Sequence, residues 1–305
     1  MSETKRLLHF RSMEGKPYQV GPLAIAFKRA DGEDEGSYSL FEALEPPGAS
    51  VDVHRHDAWQ ETFIVLDGEF EFEVSGERRG VGRWESLVVP RGAPHGYRCT
   101  SPGPGRLLTI STPARVFEAF VNDVRAANAD PGIDIRSVFA RHGLELDAHD
   151  AAATHAPARH FGAMEGKTYV LGRMKLAFKR ADGDADGAYS IFESTEAPGS
   201  GAGLHRHPPF QETFIVLDGQ FEFQAAGEQH TLGPGEMLVI PRGAPHGFTC
   251  TSPEPGRLLT ISTPARLFEA GVDEICRANV DAGTPSGGAA TDMRAIAARH
   301  GLEFL

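Results

Sequence analysis

The chain has 305 residues and a formal net charge of −12, from 30 lysine and arginine residues against 42 aspartate and glutamate residues. At roughly 150 residues per domain this length predicts two domains, and an acidic chain without a basic block argues against nucleic acid and anionic membranes as partners. Three cysteines do not suggest a disulfide framework, and the chain shows neither an apolar signal core nor a run near the roughly 20 apolar residues of a membrane span. We therefore expect a cytoplasmic protein.

An internal repeat at an offset of 151 residues organises the chain. The segment ETFIVLDG at 61–68 returns at 212–219, and PRGAPHG at 90–96 returns at 241–247. A period this long indicates a duplicated domain rather than a solenoid of short units.

The repeat predicts an N-terminal domain over residues 1–146 and a C-terminal domain over residues 160–305. Residues 147–159 have no counterpart early in the first copy, and we expect them to form the linker. The second copy is longer by seven residues around 284–291, where small residues, a proline and paired glycines predict a loop.

Within each copy the pattern is first β and then helical. Short aromatic or β-branched runs bounded by glycine or proline predict strands, which in the first copy cover 38–44, 61–68, 69–74, 86–90 and 106–112. Many short strands with turns between them indicate a sandwich or a barrel.

Two helices are predicted after the strands of the first copy, over residues 112–128 and near residues 133–143. The first begins with a Thr-Pro pair, a favourable cap and first turn, and its apolar residues recur at helical spacing. His142 falls in the last turn of the second helix and is followed by glycine, and His300 repeats this arrangement. Because helix ends favour these residues, we assign both histidines a structural role.

Three histidines and one glutamate recur at the same spacing in both copies. The two sets are His54, His56, Glu61 and His95 in the first copy and His205, His207, Glu212 and His246 in the second. Residues i and i+2 of a strand point to the same face, so the two histidines of each HxH pair project together. Three neutral imidazoles and one carboxylate suit a first-row transition metal with open coordination positions.

An HxH pair alone would usually be an ordinary surface or core feature. Here six of the 13 histidines and two glutamates recur together, which argues against coincidence. We expect one divalent transition metal in each domain, with iron as the first choice and manganese, nickel, cobalt, zinc and copper left open.

Both copies resemble the two characteristic motifs of the cupin superfamily, over nearly the whole chain. The resemblance implies an all-β fold class of two tandem jelly-roll (double-stranded β-helix) barrels, each with a metal inside its mouth and short C-terminal helices after it. The chain departs from the motifs at Trp84, where the second copy keeps the usual glycine as Gly235, and at Cys99 and Cys250, where asparagine is usual. Because tryptophan adopts positive φ poorly, we expect the first turn to reshape and the second site to be the better formed.

Aromatic residues near the predicted ligands suggest a pocket. Tyr38 and Phe63 in the first copy, and Tyr189 and Phe214 in the second, could line an apolar cavity for a planar organic substrate, although an ordinary barrel core is the alternative.

The two glutamates are also the candidate catalytic residues. A carboxylate that leaves the metal can take a proton from a bound hydroxyl, and this role would fall to Glu61 and Glu212.

The layout is most similar to bicupins of the quercetin dioxygenase type. This resemblance implies a metal-dependent dioxygenase acting on a phenolic, flavonoid-like or polyketide-like small molecule, with dioxygen as a second partner. A non-redox metal-dependent enzyme, such as a polyketide cyclase, isomerase or lyase, and a non-catalytic small-molecule-binding protein stay open as alternatives. The two domains are expected to pair within the chain, and assembly into a homo-oligomer is left open.

Overall fold

The structure is a computed structural model that describes residues 7–29, 38–148, 156–180, 188–281 and 290–305. The predicted linker, residues 147–159, and the predicted loop around 284–291 lie largely outside the described residues. Among the described residues, no helix combines the length and the apolar character that crossing a membrane requires.

The first half of the chain forms strands, then two helices, then one short strand. The strands are β1 (Leu8–Phe10), β2 (Lys16–Val20), β3 (Leu23–Arg29), β4 (Ser39–Glu45), β5 (Ser50–His56), β6 (Gln60–Asp67), β7 (Phe70–Val74), β8 (Glu77–Val81), β9 (Ser86–Val89), β10 (His95–Cys99) and β11 (Gly105–Thr112). They are followed by α1 (Val116–Ala129), α2 (Ile135–Arg141) and β12 (Leu144–Leu146).

The second half repeats this order. Its strands are β13 (Arg159–Phe161), β14 (Lys167–Leu171), β15 (Met174–Arg180), β16 (Ser190–Glu196), β17 (Gly201–Arg206), β18 (Gln211–Asp218), β19 (Phe221–Ala225), β20 (Glu228–Leu232), β21 (Met237–Ile240), β22 (His246–Cys250) and β23 (Gly256–Thr263). They are followed by α3 (Leu267–Asp281), α4 (Ala290–Arg299) and β24 (Glu303–Phe304).

The chain divides into two compact units. The N-terminal unit is Met13–Ala163, and the C-terminal unit combines Met1–Ser12 with Met164–Leu305. Two short strands explain why these units differ from the predicted boundaries: β13 pairs with β9 of the N-terminal unit, and β1 pairs with β21 of the C-terminal unit. Each added strand takes up the outer backbone hydrogen bonds of a sheet that would otherwise end at β9 or β21.

Each unit consists of two antiparallel sheets. Within the described residues, the N-terminal unit has a seven-stranded sheet in the order β13-β9-β6-β11-β4-β3-β2 and a five-stranded sheet in the order β12-β5-β10-β7-β8. The C-terminal unit has the matching orders β1-β21-β18-β23-β16-β15-β14 and β20-β19-β22-β17-β24. The sheets of a unit stay separate instead of closing into one continuous barrel.

The core of each unit lies between its two sheets. In the N-terminal unit, Phe63 and Val65 of β6 pack with Phe72 of β7 and Cys99 of β10. Phe63 and Val65 are two residues apart on the same strand, and successive side chains of a strand point to opposite faces, so both point into this core. The matching core of the C-terminal unit includes Phe214, Phe223 and Cys250.

The first helix begins later than the sequence predicts. Thr112 is still the last residue of β11, where it pairs with Gln60 of β6, so it cannot cap a helix. Helix α1 begins at Val116, after Arg115, whose backbone lies in the left-handed region (φ 70°) and whose N–H donates to Ser39 Oγ over 2.9 Å. Strand pairing therefore overrides the local Thr-Pro preference.

The second helix ends as the sequence predicts. The Asp134 side chain accepts a hydrogen bond from the Arg136 N–H at its start, and His142 follows its last residue. Gly143 comes next with φ 66°, the left-handed conformation in which glycine ends helices without steric cost.

Candidate metal centres

In the N-terminal unit the strands bring together the four residues that share the repeated spacing. His54 and His56 lie on β5, Glu61 lies on β6, and His95 begins β10, directly opposite His54 in the strand register. The ligand atoms of these four side chains lie within 4.8 Å of one another. His56, Glu61 and His95 are buried and His54 is half-buried, so the cluster faces the interior near its edge.

The second set forms the same cluster in the C-terminal unit. His205 on β17, Glu212 on β18 and His246 on β22 meet His207, which follows β17, and their ligand atoms also lie within 4.8 Å of one another. All four residues are buried.

Each glutamate contacts two histidines of its own cluster. Glu61 Oε2 lies 3.1 Å from Nε2 of His56 and 3.1 Å from Nε2 of His95. In the other cluster, Glu212 Oε2 lies 2.9 Å from Nε2 of His207 and 3.2 Å from Nε2 of His246. The Nε2 atoms of these two histidines are themselves only 3.2 Å apart.

The other ring nitrogen of every histidine faces a backbone carbonyl oxygen. The Nδ1 pairs are His54 with Asp52 O (2.9 Å), His56 with Trp59 O (2.9 Å), His95 with Ala93 O (2.8 Å), His205 with Gly203 O (2.7 Å), His207 with Phe210 O (2.8 Å) and His246 with Ala244 O (3.0 Å). A carbonyl oxygen only accepts, so Nδ1 carries the hydrogen and Nε2 of the neutral ring presents its lone pair to the cluster.

The electrostatics of the two clusters favour ionised glutamates in both and a neutral imidazole at His54 and at His205. Burial, together with the neighbouring histidines, lowers the pKa of His54 to about 3 and that of His205 to about 4. Burial alone would raise the pKa of Glu61 and Glu212, but the paired histidines, when they are protonated and carry a hydrogen on Nε2 as well, outweigh it and hold both carboxyl pKa values well below their usual range. Glu212 also outweighs the effect of burial on His207 and raises the pKa of that imidazole.

A divalent metal fits this donor set. Three inward Nε2 lone pairs and a carboxylate oxygen converge, while the ring hydrogens that could bridge them are directed to backbone carbonyls. Buried acceptors that face one another need a cation or a proton between them. Imidazole and carboxylate ligands suit first-row transition metals, and four protein donors leave coordination positions open. The carbonyl contacts at Nδ1 are the supporting interactions that orient metal-binding histidines.

Trp84 does not reshape the turn before β9, contrary to the expectation from sequence. The backbone N–H of Trp84 donates to Val65 O over 2.7 Å, and the backbone N–H of Gly235 makes the matching hydrogen bond to Val216 O over 2.8 Å. The two residues have φ 68° and φ 81°, so the tryptophan adopts the conformation that the glycine has in the second copy. The contacts around Glu61 accordingly match those around Glu212, and the predicted cause of unequal sites is wrong.

The C-terminal unit contains a cavity of about 390 Å³ beside its cluster. His205 and Glu212 belong to its lining, and Thr260 and Ser194 add hydroxyl groups. The rest is mainly apolar and includes Phe192, Phe210, Phe214, Phe248, Phe268 and Val272. This volume lies within the range of about 300–1,000 Å³ that is usual for small-molecule sites.

The aromatic residues singled out in the sequence have different positions. Phe214 lines the cavity, and its ring centroid lies 6.0 Å from that of His246. In the N-terminal unit the ring centroid of Phe63 lies 6.2 Å from that of His95. Tyr38 and Tyr189 are buried, and within the described part of the chain Tyr189 is not part of the cavity lining. A pocket role for these four residues stays a prediction, and the core interpretation suits the two tyrosines better.

The sequence reasoning overlooked the residues that the helices contribute to the cavity. Gly271 and Val272 of α3 and Ala297 of α4 belong to its lining, as does His300, for which the sequence predicts only a structural role. His300 Nε2 does hydrogen-bond Glu274 Oε2 over 2.6 Å, so it both anchors α4 and lines the cavity. A residue-by-residue comparison of the two copies would have shown that small residues replace aromatic ones here.

Comparisons with known proteins agree with this architecture. The model of the cupin domain matches residues 41–111 and again residues 192–262. The chain is also similar to quercetin 2,3-dioxygenase of Bacillus subtilis (strain 168), with 27% identity over 272 residues that cover 79% of this chain and 78% of that protein.

Solved structures share the fold at low identity. The salicylate 1,2-dioxygenase from Pseudaminobacter salicylatoxidans aligns with a TM-score of 0.53 and 15% identity, over 76% of this chain and 72% of that chain. The oxalate decarboxylase from Lactobacillus farciminis aligns with a TM-score of 0.55 and 15% identity, over 87% of this chain and 88% of that chain. With two antiparallel sheets in each unit, a cupin match in each half and a histidine–glutamate cluster in both, the chain contains two cupin domains and is a bicupin.

Proposed function

We propose that the protein is a metal-dependent dioxygenase of a phenolic, flavonoid-like or polyketide-like small molecule, and that the C-terminal unit carries the reaction. One observation supports this most: the apolar cavity of about 390 Å³ has His205 and Glu212 in its lining. An aromatic molecule in the cavity would therefore lie beside a cluster that suits a transition metal.

The proposed metal ligands in this unit are His205, His207, Glu212 and His246. A bound redox-active metal, with iron as the first choice, would supply open coordination positions and the electron-transfer chemistry that dioxygen requires. In the N-terminal unit, His54, His56, Glu61 and His95 would hold a second metal in the same way.

Glu212 is the proposed catalytic base. Its side chain belongs to the cavity lining, and the contacts with His207 and His246 lower its pKa, which favours the ionised carboxylate but makes it a stronger base once it leaves those contacts. In that state it can accept the proton of a phenolic hydroxyl that lies beside the cluster, which makes the aromatic ring electron-rich. Glu61 would have this role in the N-terminal unit.

The cavity wall would bind the ring system and exclude water. Phe210, Phe214 and Phe248 offer apolar faces and edges, the contacts that aromatic rings favour. Exclusion of water also strengthens the electrostatic effect of Glu212 on a hydroxyl beside it.

The similarity to quercetin 2,3-dioxygenase supports a phenolic substrate and dioxygen as the second partner. The shared fold with an oxalate decarboxylase is the reason to keep a non-redox reaction as the alternative, because one cupin fold serves different reactions.

Metal analysis followed by oxygen-electrode measurements tests the proposal. Protein purified without added metal is analysed for transition metals, reloaded with each candidate metal, and assayed with quercetin and simpler phenols. We expect oxygen uptake that matches substrate loss and requires a redox-active metal. Substrate loss without oxygen uptake would indicate a non-redox enzyme, and binding without turnover under every metal would indicate a binding protein.

The matched variants are His207→Ala and His56→Ala, which remove equivalent ligands from the two units. The proposal expects His207→Ala to abolish oxygen uptake. Undiminished uptake in His207→Ala, with the protein folded, would contradict the assignment to the C-terminal unit.

A further inference from the structure

We propose that Gly271 of α3 and Ala297 of α4 set the size of the ligand, so that the C-terminal unit takes an aromatic molecule of two or more rings while the N-terminal unit excludes it from the equivalent space. The aromatic nature of the ligand rests on the proposed function, but the size difference rests on the side chains alone.

The small residues are part of the cavity wall. Gly271 and Ala297 line it together with Phe210, Phe268 and His300. Gly271 is buried and Ala297 is only 2% exposed, so a larger side chain at either position would have to enter the cavity or displace its neighbours. A Cβ atom added at Gly271 would already lie 3.2 Å from Cβ of His300.

The N-terminal unit has large aromatic side chains at both places. At an offset of 151 residues Phe120 takes the place of Gly271, and at the offset of 158 that applies after the seven additional residues Phe139 takes the place of Ala297. The ring of Phe120 stacks on Trp59 with centroids 5.8 Å apart and lies 5.9 Å from Phe139.

The neighbours of Phe120 are the counterparts of the cavity lining. Its ring centroid is 6.1 Å from Phe117 and 5.5 Å from His142, which correspond to Phe268 and His300. The residues that surround an open space in the C-terminal unit therefore surround a phenylalanine ring in the N-terminal unit.

The helices that carry these residues are anchored alike, so the side chains account for the difference. His142 Nε2 hydrogen-bonds Asp123 Oδ2 of α1 over 2.8 Å, and His300 Nε2 hydrogen-bonds Glu274 Oε2 of α3 over 2.6 Å. Asp123 and Glu274 are themselves equivalent residues of the repeat. An equivalent histidine–carboxylate hydrogen bond thus holds α2 against α1 in the N-terminal unit and α4 against α3 in the C-terminal unit.

The cavity also offers a hydrogen-bonding group to a ligand. Thr260 is 1% exposed and lines the cavity, yet its Oγ1 has no hydrogen-bond partner among the described residues. A buried hydroxyl without a partner is unfavourable, so a ligand oxygen that reaches Thr260 would gain a hydrogen bond. A further oxygen substituent on a polycyclic ligand, besides the hydroxyl beside Glu212, would therefore strengthen binding, but the size selection does not depend on it.

Binding of 2-naphthol and of phenol to the full-length, metal-loaded protein tests the proposal. Calorimetry under argon prevents oxygen-dependent turnover, and recovery of unchanged ligand after the titration shows that binding alone is measured even if the protein is a non-redox enzyme. We expect one 2-naphthol per chain in the wild type, at least a ten-fold rise in its Kd for Gly271→Phe, and a smaller change for phenol. Gly271→Ala is the control, because its single added methyl leaves most of the cavity open.

The reciprocal variant strengthens the test. Phe120→Gly combined with Phe139→Ala should open the N-terminal unit and raise the stoichiometry from one 2-naphthol per chain to two, because Phe139 alone would fill the place that Ala297→Phe fills in the C-terminal unit. Ala297→Phe reports on the same space from the other helix and replaces Gly271→Phe if that variant does not fold. Two metals per chain and an unchanged circular dichroism spectrum show that each variant retains its structure.

Three results would overturn the inference: no binding of 2-naphthol to the wild type, two molecules bound per wild-type chain, or unchanged binding in folded Gly271→Phe and Ala297→Phe. Absence of oxygen uptake with the expected binding pattern would instead reject the dioxygenase reaction and leave the size selection standing.

Discussion

The two units of this bicupin agree at their metal clusters and differ in what surrounds them. Each cluster has three imidazoles directed by backbone carbonyls and one buried glutamate with two histidine contacts. A few residues away, the N-terminal unit packs Phe120 against Trp59, whereas the C-terminal unit has Gly271 and an open cavity. The comparison shows that strand geometry and backbone contacts maintain a ligand set independently of the helix residues that determine access to it.

A second difference lies inside the sheets, at a pair of buried glutamates. Burial raises the pKa of Glu45 and of Glu196 to about 7 in both units. In the N-terminal unit Tyr97 Oη donates to Glu45 Oε1 over 2.8 Å, but its counterpart Phe248 has no hydroxyl and lines the cavity instead. Among the described residues, Glu196 has a longer contact, from Ser200 Oγ at 3.3 Å, and Ser194 also lowers its pKa.

The largest expected effect comes from removing a histidine of either cluster. His56→Ala and His207→Ala should each weaken one metal site by well over 100-fold, since even outer contacts of metal ligands are worth about 10–100-fold. Because all four ligands of a cluster belong to one unit, the other site should stay loaded. Elemental analysis should find about one metal per chain in each variant, and loss of both metals from a folded single variant would contradict this independence.

The glutamates should separate the units by activity. We expect Glu212→Gln to lower the rate with a two-ring phenol by about 10²–10⁴-fold, the range for loss of a general base. Glu61→Gln should have a smaller effect, because Phe120 occupies the space that such a substrate needs. Rates are compared at equal metal content, and a greater loss in Glu61→Gln would show that the N-terminal unit carries the reaction.

The buried Glu196 should make the C-terminal unit sensitive to pH. Its folded pKa of about 7 exceeds the ordinary value of 4.5, so the folded state holds the proton more tightly and unfolding free energy falls as pH rises from about 4.5 to 7. Glu196→Gln removes this loss, and we expect it to stabilise the protein by on the order of 2–3 kcal/mol at pH 8 and much less at pH 5.

Urea unfolding at the two pH values measures this effect. Glu222→Gln, a substitution of an exposed glutamate in the same unit, is the control and should show no such pH dependence. Equal stabilisation by Glu196→Gln at pH 5 and pH 8 would show that ionisation of this carboxyl does not cause it.

The smallest effect is expected at the turn before β9. Trp84→Gly relieves a left-handed conformation that costs a non-glycine residue roughly 1–2 kcal/mol, but it removes the packing of a half-buried indole, so the net change should be about 1 kcal/mol or less. Metal content should not change, because the turn already has the conformation found at Gly235. A gain or loss of metal in the N-terminal unit would show that the turn affects the ligands after all.

Local patterns predicted the strands and brought out the ligand sets, because both depend on short-range geometry. His54 and His56 project together through the alternation of a single strand, and the repeat at His205 and His207 separated this pattern from chance. Local preference failed at Thr112, where a hydrogen-bonded neighbour in β6 extended the strand beyond the residue that favours a helix start. It also failed at Trp84, whose conformation is imposed by the hydrogen bond to Val65.

By itself, the sequence determined that the chain is a duplicated β protein with two three-histidine, one-glutamate sets, since repeat spacing and strand periodicity can be read along the chain. Only the tertiary structure decided which strands complete each sheet and where a ligand has room. Leu8–Phe10 joins β21, and Phe120 meets Trp59 and Phe139, through contacts between residues far apart in sequence. Whether a cavity exists depends on the combined volume of such residues, and no local pattern encodes that sum.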